Sequence, residues 1–156
     1  FENITFKNMT VTNTSEDGMG IHMSNAKVEL FDVALKGCRD VALDTSSSTS
    51  ESAIVATRCE FANSRYGALV NGSLTSATFK NCLFHDNSRD GIYGSESATI
   101  HLHGEATAIH SNGTNGIYSN YCKVFIHLPS DHNTFYNNGV RDRHTSGGST
   151  ITNVED

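Results

Sequence analysis

The sequence predicts an all-β parallel β-helix, a solenoid of about six coils of about 24 residues with three parallel sheets. Three observations carry that expectation. A phrase is said twice: Phe79-Lys80-Asn81-Cys82-Leu83-Phe84-His85-Asp86-Asn87-Ser88-Arg89-Asp90-Gly91 restates the run from Phe6 to Gly18, 73 residues later and without a gap. Short apolar-centred runs recur at regular intervals between the two copies. The composition is that of strands and turns, with one proline, no tryptophan and abundant Asn, Ser, Thr and Gly.

The runs fall into three series. The first opens each unit at Phe6, Phe31, Val55, Phe79, Ile100, Ile126 and Ile151, in steps of 21 to 26 residues. The second is Val11, Leu35, Phe61, Phe84, Ile109 and Phe135. The third is Gly18-Met19, Val41-Ala42, Gly67-Ala68, Gly91-Ile92 and Gly116-Ile117. Within a run the alternation has period two, as in Thr99-Ile100-His101-Leu102-His103, which is strand. A strand this short cannot bury its face alone, but coils stacked at about 4.8 Å can cover one another. A sandwich or antiparallel barrel would need hairpin turns and would not keep register over so long an interval.

The connecting residues have a mechanism. Asn8, Asn81 and Asn153 follow the first run of their units, and Asn87, Asn112 and Asn138 follow the second. Stacked asparagines can bond side chain to side chain along the rod and tolerate a left-handed bend. Gly67, Gly91 and Gly116 permit a sharp entry into the third strand.

This pattern of apolar-x-Asn, then apolar-x-x-Asn, then Gly-Ile resembles the right-handed parallel β-helix repeats of the pectate-lyase-like superfamily. The resemblance covers essentially the whole chain. It implies the fold strongly and the activity hardly at all, since that fold hosts lyases, hydrolases, epimerases, adhesins, tailspikes and non-catalytic modules. The Asn-Thr-Asp and Gly-His-Gly elements of polygalacturonase-like enzymes are absent. Where epimerase-like members carry Asp-Pro-His, this chain has Pro129-Ser130-Asp131-His132. The resemblance therefore points to a non-enzymatic repeat more than to a known lyase.

Irregular stretches mark loops: Asp44–Ser52 with its serine run, a small insertion at His103–Thr107, and Arg141–Ser149. Residues 1–156 read as one domain. Phe1-Glu2-Asn3-Ile4 enters mid-pattern and Thr150-Ile151-Thr152-Asn153-Val154 opens a further coil. Both ends thus lack the polar caps solenoids normally carry. The expectation is a fragment of a longer solenoid or a stacking subunit, with its own copies or neighbouring coils as partner at both ends.

The net charge of −6 gives no basic footprint for nucleic acid or an anionic membrane. No apolar run is long enough to span a bilayer. The chain opens on Phe1, not Met, which suits a processed protein or an excised piece. An extracellular or cell-surface location is expected.

Few residues are left for chemistry. Aligning Phe79, Ile100 and Ile126 puts Lys80, His101 and His127 in one outward column, with His103 on the same face and Glu105, Asp131 and His132 near in sequence. Neighbouring imidazoles could take a divalent metal or act as acid and base. The plainer reading is a solvated polar face. A second column, Thr12, His85, His110 and Tyr136, has aromatic members suited to sugar contact. Asp86, Arg89 and Asp90 are scattered over turns, unlike a lyase site.

Cys59 and Cys82 occupy equivalent places in successive units and are either a disulfide or a reduced core pair. Cys38 and Cys122 lie too many coils apart to pair. Asn3, Asn13, Asn71 and Asn112 open Asn-x-Ser/Thr sequons, with Asn71 expected to be the most exposed. The leading functional expectation is a non-catalytic structural module of an extracellular or surface assembly, stacking end to end into a filament. The alternatives are a carbohydrate-binding module, or a polysaccharide lyase or epimerase acting on uronate-type glycans.

Overall fold

The structure, a computed structural model, describes residues 3–45, 48–127 and 134–155. Among these every regular element is a strand. The first coil holds β1 (Asn3–Val11) and β2 (Ile21–Met23), and the second β3 (Lys27–Lys36) and β4 (Val41–Thr45). The third holds β5 (Ser52–Thr57), β6 (Glu60–Ala62) and β7 (Tyr66–Asn71), and the fourth β8 (Thr75–Lys80), β9 (Leu83–His85) and β10 (Ile92–Ser95). The fifth holds β11 (Thr99–His103), β12 (Ala108–His110) and β13 (Asn115–Asn120). β14 (Lys123–His127), β15 (Thr134–Tyr136) and β16 (Arg141–Ser146) form the sixth, and β17 (Thr150–Val154) follows.

All strand pairs are parallel, each strand lying beside its counterpart one coil away. The third sheet runs β16-β13-β10-β7-β4-β2. The first and middle sheets are joined, because β1 and β3 run through the bend between them unbroken and pair along their lengths. In the first five coils the bend is made by a left-handed residue: Asn8, Asp32, Arg58 and Asn81 have φ of 52°, 53°, 52° and 54°. Gly104 takes the same role in the fifth coil with φ 87°.

The core is the bore of the solenoid. Val11, Leu35, Phe61, Phe84, Ile109 and Phe135 form one inward column in the observed register, the same series that the sequence predicts. Phe61 and Phe84 stack with ring centroids 4.7 Å apart, and Phe79 meets both edge-on at 5.7 and 5.0 Å. Three aromatic rings fill the middle of the bore, two of the contacts edge-on, a geometry their quadrupoles favour.

The other two series shift. The first inward column is Phe6, Leu30, Ala56, Phe79, Leu102 and Ile126. Phe31 and Val55 instead lie on the outer face, where the Lys7 ammonium sits 5.3 Å from the Phe31 ring. Ile100 is inward but pairs with Ala77 and Val124, two residues earlier than expected. In the third sheet Ile21, Leu43, Ala68, Ile92 and Ile117 share a column. Gly20 and Ala42, not Gly18 and Val41, therefore precede the inward residue. The glycines there answer to close approach, not to a left-handed φ. A Cβ on Gly91 would stand 2.8 Å from the Gly116 carbonyl oxygen and 2.9 Å from Asn112 Nδ2.

Candidate functional site

The outer face of the first sheet carries the most chemistry. Lys80 lies opposite His103, and Leu102 opposite Ile126, so the outward column is Lys80, His103 and His127. His101 stands one pleat earlier, between Thr78 and Phe125. The expected Lys80-His101-His127 alignment is thus corrected by two residues. A slip of two preserves the face, so all three histidines still converge. His101 Nδ1 and His127 Nε2 are 2.7 Å apart, with one nitrogen carrying the proton and the other accepting it. The His103 and His127 rings stack at 4.0 Å, and His101 packs flat on Phe125 at 5.1 Å. One nitrogen from each of the three lies within 4.8 Å of the others. Burial, and then the neighbouring charge of His127, hold the His101 imidazole below its ordinary pKa. Lys80 is exposed, and Asp131 lies outside the described residues.

The second column is a continuous stack. His85 lies on His110 with centroids 5.1 Å apart, and His110 on Tyr136 at 4.4 Å, the ring planes nearly parallel. His85 is also held by Glu60 at 2.9 Å and Asp86 at 2.7 Å, while Lys36 reaches Glu60 at 2.6 Å. Burial alone would raise the Glu60 pKa, but hydrogen bonds from Lys36 and His85 outweigh it and hold the carboxyl below its usual range. Burial, and next the charge of His85, lower the His110 pKa. Ring faces that stack on each other are not available to a sugar. Among the three stacked residues Tyr136 is the most open, at 41% exposed.

Sequence reasoning missed a third outward column, Tyr93, Tyr118 and His144. The signal was present, since the residue after Gly-Ile is tyrosine in both Gly91-Ile92-Tyr93 and Gly116-Ile117-Tyr118. Here the rings meet edge to face at 5.2 Å, and Asn120 donates to the Tyr93 hydroxyl at 3.1 Å.

The turn residues divide. Asn87, Asn112 and Asn138 form a ladder inside the bend: Asn87 Nδ2 donates to Asn112 Oδ1 at 2.9 Å, and Asn112 Nδ2 to Asn138 Oδ1 at 3.0 Å. The left-handed residue is the one before each, namely Asp86, Ser111 and Asn137. Asn8 and Asn81 do share one bend. Asn153 does not, because it pairs with Ile126 inside β17. Asp90 is buried and accepts from the Thr114 hydroxyl, the Asn115 backbone and the Asn115 amide at 2.6–2.9 Å, a turn anchor between coils.

The sequons fare unequally. Asn112 is enclosed in the ladder. Asn71, expected to be the most exposed, is half-buried in β7, donating to the Thr45 carbonyl and accepting from the Ser95 hydroxyl. Asn13 donates to the Met19 carbonyl at 3.0 Å, and Asn3 is exposed in β1. Cys59 and Cys82 are neighbours in adjacent coils, both buried and both free thiols. The Cys82 thiol donates to the Ala56 and Lys80 carbonyls at 3.4 Å and the Cys59 thiol to the Thr57 carbonyl at 3.3 Å. The neighbouring Cys82 thiol brings the Cys59 pKa down to about 7, while burial raises Cys82 well above the usual thiol range.

No curated protein and no solved structure matches the chain. The family described as the right handed beta helix region matches residues 1–155, and the chain belongs to that family.

Proposed function

We propose that this chain is a non-catalytic structural module of an extracellular or surface assembly, and that copies of it stack end to end into a filament. What supports the reading is the edge that each outermost described coil presents, which suits either a further coil of the same polypeptide or the unlike edge of a second copy. Every residue of β1 is exposed or half-buried, and its second edge has no strand partner among the described residues. Ile4 and Met9 are 42% and 41% exposed there. At the other end Phe135 and Ile151 cover the bore only partly. Open parallel edges of this kind template further strands unless something covers them. A contact between the two unlike ends is head to tail, and without rotational closure it generates an open filament.

Both ends carry mixed charge: Arg141, Asp142 and Arg143 lie exposed on β16 at one end, and Lys7, Glu16 and Asp17 lie exposed at the other. Three acidic groups are engaged in contacts between coils. Asp32 pairs with Arg58, Glu60 with Lys36 and His85, and Asp90 with Thr114 and Asn115.

The test is light scattering across a concentration series, with electron microscopy of the concentrated sample. Mass should grow with concentration, and Met9→Lys should leave a folded monomer. A monomer at every concentration would overturn the stacking.

A further inference from the structure

We propose that His101, His103 and His127 form a binding site for one divalent transition-metal ion of the zinc type, with a coordination position left open to solvent. His101 and His103 leave β11 on the same face because they are two apart in a strand. β14 lies one coil on and in register, so it delivers His127 beside His103. This puts three imidazole nitrogens within 4.8 Å of one another on a rigid sheet. The inference is independent of end-to-end stacking.

The donor set selects the class of ion. Calcium and magnesium take oxygen ligands, whereas imidazole suits zinc, copper(II) and nickel(II). Three protein ligands with a fourth position for water or another donor is an arrangement zinc adopts. Zinc–nitrogen bonds of about 2.0–2.1 Å place tetrahedral ligand nitrogens about 3.3 Å apart. The present 2.7 Å between His101 and His127 would open slightly, and the widest separation within the cluster would close, by small rotations of half-buried rings. Phe125 against His101 limits how far that ring can turn. Lys80 opposite His103 brings a like charge to the rim, but on an exposed and flexible side chain.

The ion would join the fifth coil to the sixth, since its ligands come from both. Occupancy should therefore stabilise the fold as well as bind.

The experiment titrates the full chain with Zn²⁺ at pH 7.5 by calorimetry, and follows thermal unfolding and histidine NMR signals in parallel. One equivalent should bind, raise the unfolding temperature, and shift the signals of His101, His103 and His127 but not His144. His101→Gln, His103→Gln and His127→Gln should each weaken binding about tenfold or more, and His144→Gln should not. Circular dichroism confirms that each variant is folded, and Lys80→Gln should bind as tightly as the parent or more so. Absence of saturable binding, or binding undiminished in all three variants, would overturn the site.

Discussion

Asn87 donates its side-chain amide to the carboxamide oxygen of Asn112 across 2.9 Å, and each residue is only 1% exposed. The same Asn112 oxygen accepts from the Asn87 backbone N–H at 3.3 Å, and the Asn112 amide donates to the Phe84 carbonyl at 3.1 Å. One side chain therefore satisfies groups in the coils on both sides of it, the fourth and, through Asn138, the sixth.

Asn112→Ala should cost about 3 kcal/mol. Truncation strands the Phe84 carbonyl and the Asn87 backbone N–H in the interior, and a buried unsatisfied group costs about 1–3 kcal/mol. Asn112→Asp should be worse, because it removes both donors and places a carboxylate against carbonyl oxygens. Urea unfolding of the two variants and the parent measures the difference. A loss of less than about 0.5 kcal/mol would mean that water replaces the ladder.

Phe84 is the second test of the bore. It stacks on Phe61 at 4.7 Å and takes the edge of Phe79 at 5.0 Å, with no solvent exposure. Phe84→Ala should cost about 3–5 kcal/mol through lost transfer energy and a cavity that flanking coils cannot close. Phe84→Leu should recover most of this, because it keeps volume and loses mainly the ring contacts. Equal unfolding midpoints for the two variants would show that the bore collapses around a void.

These columns explain how much of the molecule was legible in its sequence. The middle series could be read to the residue because each of its strands is short and carries one large inward side chain, such as Phe61, Phe84 or Ile109. The first series could not, because its strands carry two inward positions. Ile100 and Leu102 both face the bore, and period-two alternation cannot distinguish a register from one slipped by two. Only the backbone ladder places Lys80 beside His103. Phe31 was misread for another reason, since a large apolar residue on the outer face is common and does not mark a core. The histidine cluster survived the slip because its members lie on one face, whereas Asn153 did not survive, because a bend position depends on absolute register.

His110 should make stability sensitive to mild acid. Its imidazole is packed between His85 and Tyr136, with Asp86 and the Ser111 hydroxyl beside it. Burial and the His85 charge outweigh the opposing pull of Asp86 and lower its pKa. Protonation is then less favourable in the folded chain than in the unfolded one. The contribution is fully present above the unfolded pKa of about 6.5 and is lost as pH falls through the lower folded value. NMR should find the His110 midpoint below that of an unfolded peptide, and His110→Phe should flatten the pH dependence of unfolding over this window. An unchanged slope in the variant would assign the acid sensitivity elsewhere, with His101, whose pKa burial also lowers, the next group to test.

Cys59 should react as a thiolate near neutral pH, and its neighbour should be the reason. The neighbouring Cys82 thiol is the largest influence bringing Cys59 down to about 7, ahead of the opposing effect of burial. Cys82 itself is pushed up by burial and stays protonated. Access is limited, since Cys59 is 2% exposed, so labelling by iodoacetamide will be slow but its pH dependence remains readable. Mass spectrometry of labelled peptides should give a midpoint near 7 for Cys59 and negligible modification of Cys82. Cys82→Ala removes this neighbour and should move the Cys59 midpoint up by about one unit or more, toward the ordinary thiol value of about 8.5. If the midpoint holds in Cys82→Ala, the backbone groups of Val33 and Thr57, which also lower it, set the thiolate instead.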